Sequence, residues 1–208
     1  MSDLRKIVLP GEMLDKQAVG EVYKENDKYY SATLGVLEDR GEQYRVVPLH
    51  GKYIPNEGDM VIGIVVNVKY GHYLVDINSP YIGFLFEGNN GYNFDYLDVI
   101  LARVVSVNEV KNVVLENAKK LEGGTLLEVI PVKVPRIIGK RDSMLNILKE
   151  GTGCDIIIGK NGRIWVKNGN ISLLKRALDI IQRESHTTGL TERIKKFLEE
   201  EGGKNEKA

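Results

Sequence analysis

The chain of 208 residues has one cysteine, Cys154, and only three histidines, His50, His72 and His186, which fall in separate segments. A lone cysteine excludes an internal disulfide framework and fits a reducing compartment. With no second cysteine and no local histidine pair, a tetrahedral zinc site lacks its usual ligands. Long apolar runs are missing too, and none approaches the roughly 20 residues of a membrane span. The start, Met1-Ser2-Asp3-Leu4-Arg5-Lys6, lacks the apolar stretch of a signal peptide. A soluble, cytoplasmic protein is expected. Charge of one sign is not in excess, since 29 basic and 29 acidic side chains cancel. That balance excludes a polycation that holds nucleic acid through bulk charge. Walker loops and nucleophile elbows are absent. Asp95 and Asp98 could share a face of a short helix and hold a metal, but no third carboxylate stands beside them, and a solvated surface explains them more simply. Neither catalysis nor a cofactor is expected.

What charge there is lies unevenly. Residues 1–52 carry 8 Lys/Arg against 9 Asp/Glu, and residues 53–120 carry 5 against 8. Residues 121–188 carry 11 against 7, a net of +4, while residues 189–208 balance at 5 and 5. A local cationic surface is therefore expected in the third segment.

Turn-forming residues divide the chain into four parts: 1–54, 55–122, 123–188 and 189–208. In the first, Pro10-Gly11-Glu12, Glu25-Asn26-Asp27 and Glu38-Asp39-Arg40-Gly41 separate short Tyr- and Val-rich strands. With few large apolar residues, this small β domain is expected to need a partner surface. From Met60 the pattern alternates, and Ile62, Ile64, Val66 and Val68 share the parity expected of a buried face. Further strands follow at 72–77, 81–86, 100–107 and 113–116, with a turn near Glu109-Val110-Lys111-Asn112 and a short helix expected near Phe94–Asp98. Five strands with a longer insertion after the third suit a closed OB-type barrel.

Beyond Gly123-Gly124 the pattern becomes mixed. A strand is expected over Leu126–Val134, a short helix opened by Pro135, and a second helix capped by Asp142 or Ser143 and ended by Gly151. A hairpin turns at Gly159-Lys160-Asn161-Gly162, and a long helix carries Ile171, Leu174, Leu178 and Ile181 on one face. The order β-α-α-β-β-α is that of a eukaryote-type KH domain. A last helix begins at Thr191, and Gly202–Ala208 reads as a frayed polar tail.

The segment Glu57-Gly58-Asp59-Met60-Val61-Ile62-Gly63, Val68-Lys69-Tyr70-Gly71-His72-Tyr73, Asp76-Ile77 and Gly83-Phe84-Leu85 resembles the S1-type OB fold of RNA-binding proteins. The resemblance implies base stacking on Tyr70, Tyr73 and Phe86, with Arg103 meeting phosphate. Stacking needs only the π face that every base has, at ~1–3 kcal/mol per base. KH domains grip a nucleic-acid backbone with a GXXG loop between their first two helices. The corresponding segment is Gly139-Lys140-Arg141-Asp142, where Asp142 replaces the second glycine while Arg136, Lys140 and Arg141 keep the surroundings basic. A full GXXG occurs at Gly159–Gly162 between two strands, either as a plain hairpin turn or as a secondary phosphate contact through Lys160 and Arg163.

The whole chain, from Ile7 to Glu184, resembles the S1–KH type RNA-binding cap subunits of the archaeal exosome. The resemblance rests on both modules and on Val8-Leu9-Pro10-Gly11-Glu12, on Pro48-Leu49-His50-Gly51-Lys52-Tyr53-Ile54-Pro55 leading into Gly58-Asp59-Met60, and on Gly159-Lys160-Asn161-Gly162-Arg163-Ile164-Trp165. It implies a subunit without nuclease activity that binds single-stranded RNA. Three copies would sit on a hexameric ring of RNase PH-like subunits that degrade RNA phosphorolytically from its 3′ end. The same modules also occur in free-standing RNA-binding factors of translation or ribosome function, and that alternative stays open.

Overall fold

The structure, a computed structural model, describes residues 6–39, 41–49, 51–87, 91–108, 112–185, 187 and 189–205. His50, His186, Arg40 and the turn Glu109–Lys111 lie outside them. The chain forms two compact units, Met1–Gly51 and Lys52–Ala208.

The first unit holds seven short strands: β1 (Lys6–Val8), β2 (Met13–Leu14), β3 (Ala18–Gly20), β4 (Val22–Glu25), β5 (Lys28–Ser31), β6 (Gly35–Asp39) and β7 (Tyr44–Pro48). They make a four-stranded sheet, β1-β6-β7-β3, and a three-stranded one, β2-β5-β4. The β4–β5 hairpin turns on Asn26 (φ 46°) and Asp27 (φ 60°), the left-handed pair that matches strand twist. Among its described residues the buried apolar core is Val8, Leu14, Ala18, Leu37 and Val46.

The second unit begins with a closed barrel of β8 (Met60–Lys69), β9 (His72–Asp76), β10 (Ile82–Phe86), β11 (Val99–Val107) and β12 (Val113–Lys120). Around the barrel the order is β10-β12-β11-β8-β9, with β10 and β12 the parallel pair. Val61, Val65, Tyr73, Val75, Leu85, Ile100, Val104, Val113 and Leu115 fill it. Space inside is scarce: a Cβ on Gly63 would stand 2.2 Å from the Val75 side chain, and one on Gly83 would stand 2.7 Å from Leu115. Tyr53 also packs into this core, so the barrel reaches back before Pro55. Two expectations change here. The inward parity of β8 is that of Val61 and Val65, whereas Ile62 is buried outside the barrel and Val66 and Val68 are exposed beyond a register shift between Val65 and Asn67. No helix forms near Phe94–Asp98, where the chain makes a turn at Tyr96-Leu97. The Asp98 carboxylate pairs with Lys120 at 2.8 Å and accepts the Asp95 N–H. Among the described residues no group of three or more His, Cys, Asp or Glu side chains could hold a metal.

The α/β module follows in the expected order: β13 (Thr125–Glu128), α1 (Val134–Ile138), α2 (Ser143–Thr152), β14 (Asp155–Ile158), β15 (Arg163–Lys167) and α3 (Ile171–Glu184). α4 (Leu190–Asn205) then packs Leu190, Ile194 and Leu198 into the same core. The antiparallel sheet runs β13-β15-β14. The first strand is shorter than expected because Pro131 starts a 3-10 turn. α2 does not stop at Gly151; it runs to Thr152 and ends on Gly153 in the left-handed conformation. Gly151 is there for contact, since a Cβ would meet Leu198 of α4 at 2.8 Å. The backbone of α4 continues through Gly202-Gly203, where a frayed tail was expected. None of the described helices is long and apolar enough to cross a membrane.

Candidate nucleic-acid interface

Strand pairing decides which barrel side chains can meet a ligand. His72 is in register with Lys69 on one side and with Phe86 on the other, so Lys69, His72 and Phe86 form one row across β8, β9 and β10. The next row on that face is Asn67, Leu74 and Phe84. The His72 ring lies 6.1 Å from Phe86 and 6.4 Å from Phe84. Phe86 is 54% exposed, and Tyr70, at the β8–β9 turn, stands fully in solvent. Ring faces open to water beside a lysine make a surface suited to stacking bases and meeting phosphate.

Tyr73 is not part of that surface. It lies on the opposite face of β9, is 6% exposed, and packs edge-on against Phe94 at 5.4 Å. Its hydroxyl donates to the Tyr92 carbonyl at 2.8 Å. Enclosed in the barrel, the ring has no face to offer a base, which corrects the expectation for this residue. Arg103 is exposed on β11, which touches neither β9 nor β10; it is in register with Glu116 of β12, the strand that pairs with β10. Lys69, His72 and Phe84 were missed. Alternation would have found them, because His72 and Phe84 fall on the parity opposite to the buried Tyr73, Val75 and Leu85.

The two glycine loops of the α/β module have separate surroundings. Gly139-Lys140-Arg141-Asp142 joins α1 to α2, and Arg136, Lys140, Arg141 and Asp142 are all exposed. Gly159–Gly162 is buried against the barrel. A Cβ on Gly159 would stand 2.7 Å from the Ile62 nitrogen. The fully buried Asn161 side chain accepts the Ile62 N–H at 3.2 Å and donates to the Ile62 and Ile77 carbonyls at 2.7 and 2.9 Å. Its own carbonyl accepts the Asn78 side-chain amide at 2.9 Å. Arg163, 4% exposed, donates to the Asp76 carbonyl at 2.6 Å and to the Asp76 carboxylate at 2.5 Å, with Glu128 on its Nε. Its donors are used inside the protein, so the expected phosphate contact through Arg163 is corrected to a structural one. The Lys160 side chain is largely exposed, and its ammonium is held at 2.6 Å by Asp59. Asp59 also accepts the Tyr53 hydroxyl at 2.7 Å, and burial followed by that bond pushes the Tyr53 phenol far above its usual range. Ile62, Leu121 and Trp165 close an apolar seam between barrel and sheet. The GXXG that matches by letters is thus a latch, and the one that departs is the open loop.

Known proteins are similar along the whole chain. Residues 124–172 match the KH domain family, and residues 5–50 match the family described as the exosome RNA binding protein RRP4 N-terminal domain. A relative from Methanothermus fervidus, named exosome complex component Rrp4, is 43% identical over 93% of this chain and 95% of its own length. One of the same name from Thermoplasma acidophilum is 39% identical over 99% of this chain and 95% of its own. A crystal structure assigned as an exosome complex RNA-binding protein shares 36% identity, with a TM-score of 0.65, over 73% of this chain and 97% of that one.

Proposed function

The chain belongs to the Rrp4 family of exosome components, and from that membership we propose that it is a non-catalytic subunit that recruits single-stranded RNA. It threads the 3′ end into a phosphorolytic ring of RNase PH-like subunits, three copies to a hexameric ring, in the cytoplasm. The observation that carries the RNA reading is the open row of Lys69, His72 and Phe86, with Tyr70 beside it, on the outside of the barrel. The barrel segment carries more acidic than basic residues, so one copy would grip weakly. Tethered copies compensate, because the second and third contacts form at high effective concentration. Ring docking falls to the first unit, which has few buried apolar residues and exposes Ile7, Leu9, Met13 and Leu34. Cations at the open loop, Arg136, Lys140 and Arg141, add phosphate contacts.

The test is Phe86→Ala combined with Lys69→Ala in the assembled complex. Affinity for a single-stranded oligoadenylate is expected to fall at least about fivefold, since one stacked base is worth ~1–3 kcal/mol. Assembly should be unaffected, and unchanged affinity would sink the stacking role. Labelled RNA incubated with the lone protein, phosphate and divalent metals should stay intact; reproducible shortening would mark a nuclease. A chain that ignores RNase PH-like subunits in gel filtration would be a free-standing RNA-binding factor.

A further inference from the structure

We propose that Asp142 is a selectivity residue of the α/β module: its carboxylate, standing where a backbone-gripping loop carries glycine, keeps the module from clamping a passing RNA strand. The proposal rests on the RNA-binding reading above and assigns a restraining role within it.

The loop has kept a shape that glycine would favour. Gly139 has φ 77° and cannot carry a side chain, since a Cβ would stand 2.7 Å from the Met144 nitrogen. Arg141 (φ 52°, ψ 44°) and Asp142 (φ 61°, ψ 16°) are both left-handed. Aspartate tolerates that conformation better than most residues but still carries a steric penalty that glycine does not. The residue is not repaid by capping: Asp142 precedes α2, yet its side chain makes no cap hydrogen bond. Among the described residues no ion pair or side-chain hydrogen bond engages Asp142, nor do any engage Arg136, Lys140 or Arg141. Three free cations therefore draw an anion toward the loop, while one free carboxylate beside them repels it. Like charges about 4 Å apart in water weaken a contact about fivefold. A subunit that passes RNA onward is served by a loop that attracts the strand without holding it.

The experiment uses the full chain with a fluorescein-labelled single-stranded oligoadenylate at several salt concentrations. Asp142→Asn removes the charge and retains a side chain that tolerates the left-handed backbone. It is expected to bind about fivefold tighter, with a steeper salt dependence from the added phosphate contact and an unchanged melting temperature. Asp142→Gly should bind at least as tightly. Adding Lys140→Ala and Arg141→Ala to Asp142→Asn should cancel the gain. Equal or weaker binding by Asp142→Asn, or a gain that survives loss of both cations, would overturn the proposal. Phe86→Ala in the same assay separates the two readings. If it binds like the unaltered chain while Asp142→Asn gains affinity, the barrel surface fails and the loop assignment stands.

Discussion

The loops at Gly139–Asp142 and Gly159–Gly162 look alike as sequence and act in opposite ways as structure. Each pairs glycine with lysine in a basic segment. The second loop has both glycines: Gly159 admits the barrel and lies against the Ile62 backbone, while the left-handed Gly162 packs within its own module, where a Cβ would meet the Val129 carbonyl at 2.4 Å. The first has Asp142 in place of its second glycine and is exposed to solvent. Missing side chains permit close approach of something, and the surrounding fold decides whether that is a phosphate or another module of the same chain.

The comparison breaks most decisively at Asn161. Asn161→Ala would leave the buried Ile62 N–H and the Ile77 carbonyl without partners, and the Ile62 carbonyl with only the long contact from Arg163 at 3.5 Å. At ~1–3 kcal/mol for each orphaned group, a loss of roughly 3 kcal/mol or more is expected in urea unfolding of the second unit. A loss below about 1 kcal/mol would mean that the loop only rests against the barrel. A medium effect should separate the lysines. Lys140→Ala with Arg141→Ala is expected to weaken RNA binding a few-fold and to flatten its salt dependence, by about 0.7 in log–log slope per lost phosphate contact. Lys160→Ala should leave that slope unchanged, because its ammonium already neutralises Asp59. Equal effects at both loops would erase the distinction.

The smallest effect sharpens the comparison from the barrel side, where a surface ion pair rather than a buried latch holds a loop. Burial pushes the Asp98 carboxyl up, but the Lys120 ammonium and the Asp95 N–H more than offset this and hold it below its ordinary value. A depressed carboxylate adds stability above its unfolded-state pKa and loses it as pH falls through the folded one. Lys120→Met should therefore melt slightly lower than the unaltered chain at neutral pH. The two melting curves should converge below the ordinary carboxylate range, as read by circular dichroism. A gap that persists in acid would point to lost packing of the lysine stem.

Much of the architecture was legible because local chemistry and global fold agree. Asn26-Asp27 announces its hairpin, and Asn170 caps α3 by accepting the Leu173 N–H at 2.9 Å. The apolar period of α3 matches its buried Leu174, Leu178 and Ile181. β8 was misread for a physical reason: a strand apolar on both faces has no parity that marks the inside. Ile62 looks like core and is buried, but against Trp165 and Leu121 rather than in the barrel. Gly151 read as a helix stop because glycine costs helix stability; its use is close approach to α4, a partner about fifty positions away. Tyr73 could have been sorted by alternation with His72, whereas the placement of Arg103 required the order of strands around the barrel.

The sequence by itself determined the run of strands and helices, the two-module plan of the second unit and the thin core of the first, because these follow from turn chemistry and apolar period. Tertiary structure alone decided which aromatic rings face water, which lysine stands beside them and which glycine loop is free. Those properties depend on contacts between residues as far apart as Ile62 and Asn161, and no local pattern records what will come to lie against a given face.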